Sequence, residues 1–158
     1  MGHLAHLARR FAGAVRRGPL GPAEQAEASR LLRGEERKLF WRQAAADQRH
    51  ALDCARALLD RAPGRYDLAR AALLHDVGKG AAGLGTLGRV LATGLSLLHL
   101  PTPGRLGVYV VHGPGGADEL AAIGAEPLVV TYARYHHAPR PPSVPPEDWD
   151  LLGAADRA

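Results

Sequence analysis

The residues best suited to chemistry stand in the run Ala71-Ala72-Leu73-Leu74-His75-Asp76-Val77-Gly78-Lys79-Gly80. An apolar helical stretch ends there in an adjacent histidine and aspartate. Neutral imidazole and carboxylate are both good ligands for a divalent metal. Side by side at a helix end they can face one ion, and the second carboxylate oxygen can reach another. Lys79 adds a fixed positive charge nearby, where a phosphate would sit. More donors of the same types follow a definite order. His50 lies 25 residues before His75, His112 lies 36 after Asp76, His136-His137 follow, and Asp156 comes 19 after His137. Taken singly, each is more simply an ordinary polar side chain. The ordered set is what points to a metal site. Several histidines with carboxylates suit Mn, Fe or Zn better than Ca or Mg. His3, His6 and His99 read as ordinary residues.

Helices must carry these donors. Asp47 is a plausible N-cap for a helix holding His50, with Leu52, Ala55 and Leu59 as its apolar stripe. Asp67 would cap the next, Leu68–Asp76, which delivers the central motif. Residues 81–100 read as helical with glycine interruptions. Within them Leu84–Leu100 is apolar but broken by Arg89 and His99, so it is a poor membrane span and reads as a buried or groove-lining helix. Val108-Tyr109-Val110-Val111 has strand propensity, yet every flanking segment is helical and no partner strand is visible. Residues 113–123 and 126–137 read as two further helices, the second with Leu128, Val129, Tyr132 and Tyr135 mostly in the core. The proline-rich 139–146 cannot be helical. A last helix, 147–157, presents Asp156. The expectation is an all-α single compact helical bundle, with residues 1–34 as an N-terminal helical extension and 35–158 as the main domain.

The length suits one domain with a real core. An apolar fraction of 46% and a charged fraction of 23% are those of a globular chain. The formal charge of +4 comes almost entirely from arginine, since Lys38 and Lys79 are the two lysines. It is compatible with an anionic substrate and equally with a compositional bias. One cysteine, Cys54, excludes an internal disulfide and a cysteine-based zinc site, and suits a cytoplasmic protein. In residues 3–17, Leu4, Leu7, Phe11 and Val15 keep helical spacing among four arginines. Such a basic amphipathic helix can lie on an anionic membrane or RNA. Packing on the domain is the preferred reading. Stable nucleic-acid binding is not expected, because no aromatic interleaving accompanies the basic residues.

Five pieces then combine: Arg49-His50-Ala51-Leu52, the Leu-Leu-His-Asp-Val-Gly-Lys segment, His112 ahead of Gly116-Ala117, Tyr135-His136-His137, and Leu152-Gly153-Ala154-Ala155-Asp156. Over roughly residues 47–157 the chain resembles the HD-domain metal-dependent phosphohydrolases, nearest the dinuclear HD-GYP-like (HDIG-type) subgroup. The resemblance implies an HD-domain bundle with two divalent transition-metal ions (Mn, Fe or Zn). It implies that His50, His75, Asp76 and Asp156 hold the first metal. Asp76 would bridge to a second, held by His112, His136 and His137. It implies catalytic roles for Asp76 and Lys79, with Lys79 on a phosphate oxygen. Arg134, Arg140 and Arg157 are candidates for further phosphate contacts. The implied activity is that of a phosphatase or phosphodiesterase on a nucleotide or other phosphorylated small molecule. The alternative is a signalling module that binds metal and an anion without turnover. Two positions depart from the pattern. Ala138-Pro139-Arg140-Pro141-Pro142 stands where HD-GYP proteins carry an acidic residue and the Asp-Gly-x-Gly-Tyr-Pro stretch tied to cyclic dinucleotide hydrolysis. Ala46 stands where some members have a glutamate for a third metal, so at most two ions are expected.

Overall fold

A computed structural model describes residues 18–157, so the expectation for residues 3–17 lies outside the described residues. Among the described residues nine α-helices and one 3-10 helix follow one another, with no strand. They are α1 (Pro22–Leu31), α2 (Glu36–Arg42), α3 (Ala45–Arg61), α4 (Tyr66–Leu74), the 3-10 segment Val77–Ala82, α5 (Thr86–Leu97), α6 (Arg105–Val110), α7 (His112–Ala122), α8 (Pro127–Tyr135) and α9 (Pro146–Asp156). The chain folds as a single all-α bundle, and Val108–Val110 is helical, as expected.

The bundle is built around α4. Every residue from Leu68 to Leu74 is buried, which matches a helix apolar on nearly all sides. Leu68, Leu73 and Leu74 are fully covered, each contributing about 1.5–3 kcal/mol relative to exposure. α1, α2, α3, α8 and α9 all pack on α4. One charged side chain, Arg70, is enclosed in this shell, where it pairs with Glu126 and faces Glu36 at 3.7 Å. Leu20, Ala28 and Leu32 share the core with Phe40, Leu52, Leu58, Val129 and Leu152.

The 3-10 segment sits against α7 at backbone distance. A Cβ on Gly78 would stand 2.2 Å from the His112 carbonyl oxygen and 2.7 Å from the Gly116 nitrogen. Only glycine fits there, so Gly78 and Gly116 explain how the end of α4 and the start of α7 come together. At the other end of α7, Gly124 adopts φ +71°, the left-handed conformation that stops a helix at low cost.

Several local expectations change. α3 starts at Ala45 behind an Ala44 cap, and Asp47 lies inside its first turn, paired with Arg89. α4 starts at Tyr66 behind Arg65, and Asp67 is held by that arginine at 2.9 Å. Both aspartates favour the helix as first-turn charges rather than caps. Among the residues of Leu84–Leu100 whose burial is described, only Ala92 is buried, while Leu87, Val90, Leu91 and Leu98 are exposed. That stretch is therefore a surface helix rather than a buried one. Tyr135 is also exposed, because it points away from the α4 side that covers Val129 and Tyr132.

Candidate metal centre

The donors sit at helix ends that α4 gathers. His75 and Asp76 leave its C-terminus, His112 opens α7, and His136 and His137 follow α8. Asp156 ends α9, and His50 stands on α3. α3 and α9 pack on α4 and on each other, while α8 packs on α4 and carries α7 with it. All seven donors therefore meet in one place, although residues 50 and 156 lie at opposite ends of the core sequence.

They meet as two groups joined by Asp76. In the first, His50 Nε2 is 3.0 Å from Asp156 Oδ1, and His75 Nε2 lies 3.4 Å from both Asp156 Oδ1 and Asp76 Oδ2. In the second, Asp76 Oδ1 is 2.8 Å from His112 Nε2 and 3.6 Å from His136 Nε2, and those two nitrogens are 3.3 Å apart. One donor atom each from Asp76, His112, His136 and His137 falls within a mutual 4.8 Å, as does one each from His50, His75 and Asp76. Ligand atoms about 2.0–2.2 Å from a shared ion stand about 2.8–3.6 Å apart in octahedral or tetrahedral sites, a range that holds the separations given above.

Three of the imidazoles are oriented in the same way. His75 Nδ1 lies 2.8 Å from the Ala72 carbonyl, His112 Nδ1 2.9 Å from the Tyr109 carbonyl, and His136 Nδ1 2.9 Å from the Ala133 carbonyl. A carbonyl only accepts, so Nδ1 donates in each ring. In the neutral ring Nε2 then keeps its lone pair, which is directed at Asp76. A metal-binding histidine is commonly fixed through its other nitrogen in this manner. Each partner is three residues earlier, at a helix end or turn where the carbonyl is not needed by the helix. The sequence contained this signal in the placement of each histidine just past a helical run, and the spacing argument overlooked it.

The electrostatics agree with a cation site. Asp76 is 2% exposed, and its buried Oδ1 is faced by His112 Nε2 at 2.8 Å and His136 Nε2 at 3.6 Å. Such a convergence is satisfied by a proton on a ring nitrogen or by a shared cation. Burial opposes ionisation of Asp76, but His75 and Lys79 outweigh it and keep the carboxyl well below its usual range. Burial likewise opposes charge on His75, yet Asp76 and Asp156 prevail and push the imidazole up to about 9. Burial pushes His136 down, toward the neutral form that a metal needs. These residues fit a pair of divalent ions: five imidazoles and two carboxylates, one of which, Asp76, has an oxygen in each group.

No protein-family model, curated protein or solved structure matches this chain.

Other candidate residues fall around this centre or away from it. Lys79 Nζ is 2.5 Å from Asp76 Oδ2, on the side of the first group, with its side chain 17% exposed. Burial would lower the ammonium's pKa, but Asp76 raises it overall, so Lys79 stays charged. Arg134 is engaged by Asp118 at 2.5 Å, and Arg140 donates to the carbonyls of Pro141 and Val144 within its own loop. Neither guanidinium is directed at the donors. Three residues that the sequence did not mark for the site, Tyr109, Arg89 and Asp47, stand near Lys79 instead. The Tyr109 ring lies 5.9 Å from Lys79 Nζ and 5.5 Å from the Arg89 guanidinium, which Asp47 holds. Cys54 also joins the centre's edge, with Sγ 3.4 Å from His50 Nε2. Nothing in local sequence connects residues 47, 89 and 109, because their meeting depends on how α5 and α6 fold back over α3.

Proposed function

We propose that the chain is an HD-domain-type phosphohydrolase, acting on a nucleotide or other phosphate mono- or diester through a dinuclear His/Asp centre. The observation that carries this reading is the division of Asp76, with Oδ2 facing His75 and Oδ1 facing His112 and His136. His50, His75, Asp76 and Asp156 would hold one ion, and Asp76, His112, His136 and His137 the other. Such a pair, when bound, supplies an acidified water and two positive charges for the oxygens of a phosphoryl group.

The chain's own residues do the rest. The carbonyls of Ala72, Tyr109 and Ala133 hold three imidazoles with Nε2 turned toward Asp76, so the rings need not reorient when a ligand arrives. Asp76 is buried and ionised, and so keeps both groups in register. Lys79 brings an ammonium into direct contact with Asp76, and its flexible stem lets that charge move to a phosphate oxygen. Tyr109 gives that ammonium an aromatic wall.

A second reading, a metal- and anion-binding module without turnover, is favoured by the engagement of Arg134 and Arg140 elsewhere. It leaves Lys79 as the main candidate for a substrate phosphate. The separating experiment is metal analysis of the purified protein, followed by phosphatase and phosphodiesterase panels with Mn, Fe and Zn. Turnover that depends on metal and is lost in Asp76→Ala supports hydrolysis. Stoichiometric metal without turnover on either panel supports the binding module, and absence of metal affinity removes both.

A further inference from the structure

The two oxygens of Asp76 meet different partners. Oδ1 faces imidazoles, His112 Nε2 at 2.8 Å and His136 Nε2 at 3.6 Å. Oδ2 faces His75 Nε2 at 3.4 Å and also the Lys79 ammonium, at 2.5 Å. An imidazole binds a metal in its neutral form, whereas an ammonium keeps its charge and offers no lone pair. The Asp76 oxygen of the His50–His75–Asp156 position therefore already carries a counter-ion. Asp156 is engaged there too, since His50 Nε2 and His75 Nε2 approach its Oδ1 at 3.0 and 3.4 Å.

Two cations on one oxygen repel each other. An ion about 2.1 Å from Oδ2 and the ammonium at its present 2.5 Å would stand at most about 4.6 Å apart, where burial leaves little water to screen them. The backbone is held, because Gly78 is closed against His112 and Gly116. The Lys79 side chain can yield through its unbranched stem, and the Tyr109 ring, 5.9 Å from Nζ, gives the displaced charge a partner. Oδ1 needs no such rearrangement. His112 and His136 are already fixed through Nδ1, and His137 completes a four-donor set with Asp76 inside 4.8 Å. From this asymmetry we infer that Lys79 is the resident cation of the His50–His75–Asp156 position, so that the triple-histidine position fills first and filling of the other frees the ammonium for a phosphate oxygen. The inference rests on the dinuclear reading above and adds its regulation. With one ion bound, Lys79 stays folded back on Asp76, and a substrate phosphate meets that cation only when both positions are occupied.

Two measurements on the full chain test this. Equilibrium dialysis against chelator-buffered Zn should show one tight step and a second weaker by about tenfold or more. Lys79→Met should strengthen the weak step on the order of tenfold and leave the tight step alone, with equal metal content at saturation. Asp156→Asn should weaken the weak step only. The second measurement needs no substitution. Lys38 and Lys79 are the two lysines of the chain, and the Lys38 side chain is 77% exposed, so Lys38 serves as an internal reference for acetylation. Peptide mass spectrometry should show Lys79 acetylated slowly at Zn levels below the weak step and several-fold faster above it. Two steps of equal affinity, a weak step unmoved in Lys79→Met, or Lys79 acetylation indifferent to the second ion would overturn the inference and leave the dinuclear reading intact. Uptake of one ion or none at saturation would defeat that reading and this inference together.

Discussion

At the residue scale, the sharpest feature is how much is asked of Asp76. It is nearly inaccessible, ionised, and in contact with His75, Lys79, His112 and His136. Lys79 shares its Oδ2 but has no lone pair while charged, so it is no ligand. Lys79→Met keeps the stem and removes the charge. Metal content measured by mass spectrometry should stay near wild type, while kcat on the best substrate falls by roughly a hundredfold, as for loss of an oxyanion donor. Loss of metal alongside activity would show that Lys79 instead maintains the fold around Asp76. That these histidines and aspartates belong together was legible in the sequence from their identity and order. Their tautomers were not, because a carbonyl partner three residues back is set by helix ends. Tyr109 and Arg89 were invisible for a different reason, since neither shares a motif with Lys79.

At the element scale, the 3-10 segment and α7 are joined where no side chain fits. Gly78→Ala would force a methyl to within 2.2 Å of the His112 carbonyl oxygen, so one backbone must shift. Overpacking of this kind costs about 1–3 kcal/mol. The thermal midpoint should fall, and because His112 moves with its carbonyl, the Asp76–His112–His136–His137 group should lose metal affinity more than the His50–His75 group. Titration of both variant and wild type with Zn checks this, and an unchanged second affinity would contradict it. Helix existence and type were legible from apolar spacing, including α6, where context prevailed over strand propensity. Burial of α5 was not. Its apolar content suggested an interior, but spacing says which residues share a side and nothing about which side meets the core. Asp47 and Asp67 misled as caps because both sit at the right distance from a helix start, yet arginines take their carboxylates, Arg89 of α5 for Asp47 and the neighbouring Arg65 for Asp67.

At the scale of the whole molecule, residues 18–24 are tied to α3 by an ion pair that reports on acid stability. Arg49 donates to both oxygens of Glu24, at 2.9 Å each, and to the carbonyls of Gly18 and Pro19. The Arg49 bonds and the Gly21 N–H hold the Glu24 carboxyl at about 2, against an ordinary 4.5. The unfolded chain therefore binds the extra proton between those values. The stabilisation is fully present above about pH 4.5 and is lost as pH falls toward 2. Glu24→Gln should be less stable than wild type to urea at pH 6, with the gap closing across that window. A gap independent of pH would mean that the contact is not ionic. The all-α architecture was legible at this scale, because no segment offered paired alternating patterns. The centre's assembly was legible only as an ordered set, since the convergence of α3, α7, α8 and α9 is fixed by what packs on α4.

The central claim is that Asp76 joins two metal positions. It is tested most directly by anomalous scattering from crystals of the protein grown with Zn or Mn. The account predicts two peaks per chain on either side of the Asp76 carboxylate, one among His50, His75 and Asp156 and the other among His112, His136 and His137. A single peak that Asp76 touches with one oxygen, or no peak among these residues at saturating metal, would contradict it.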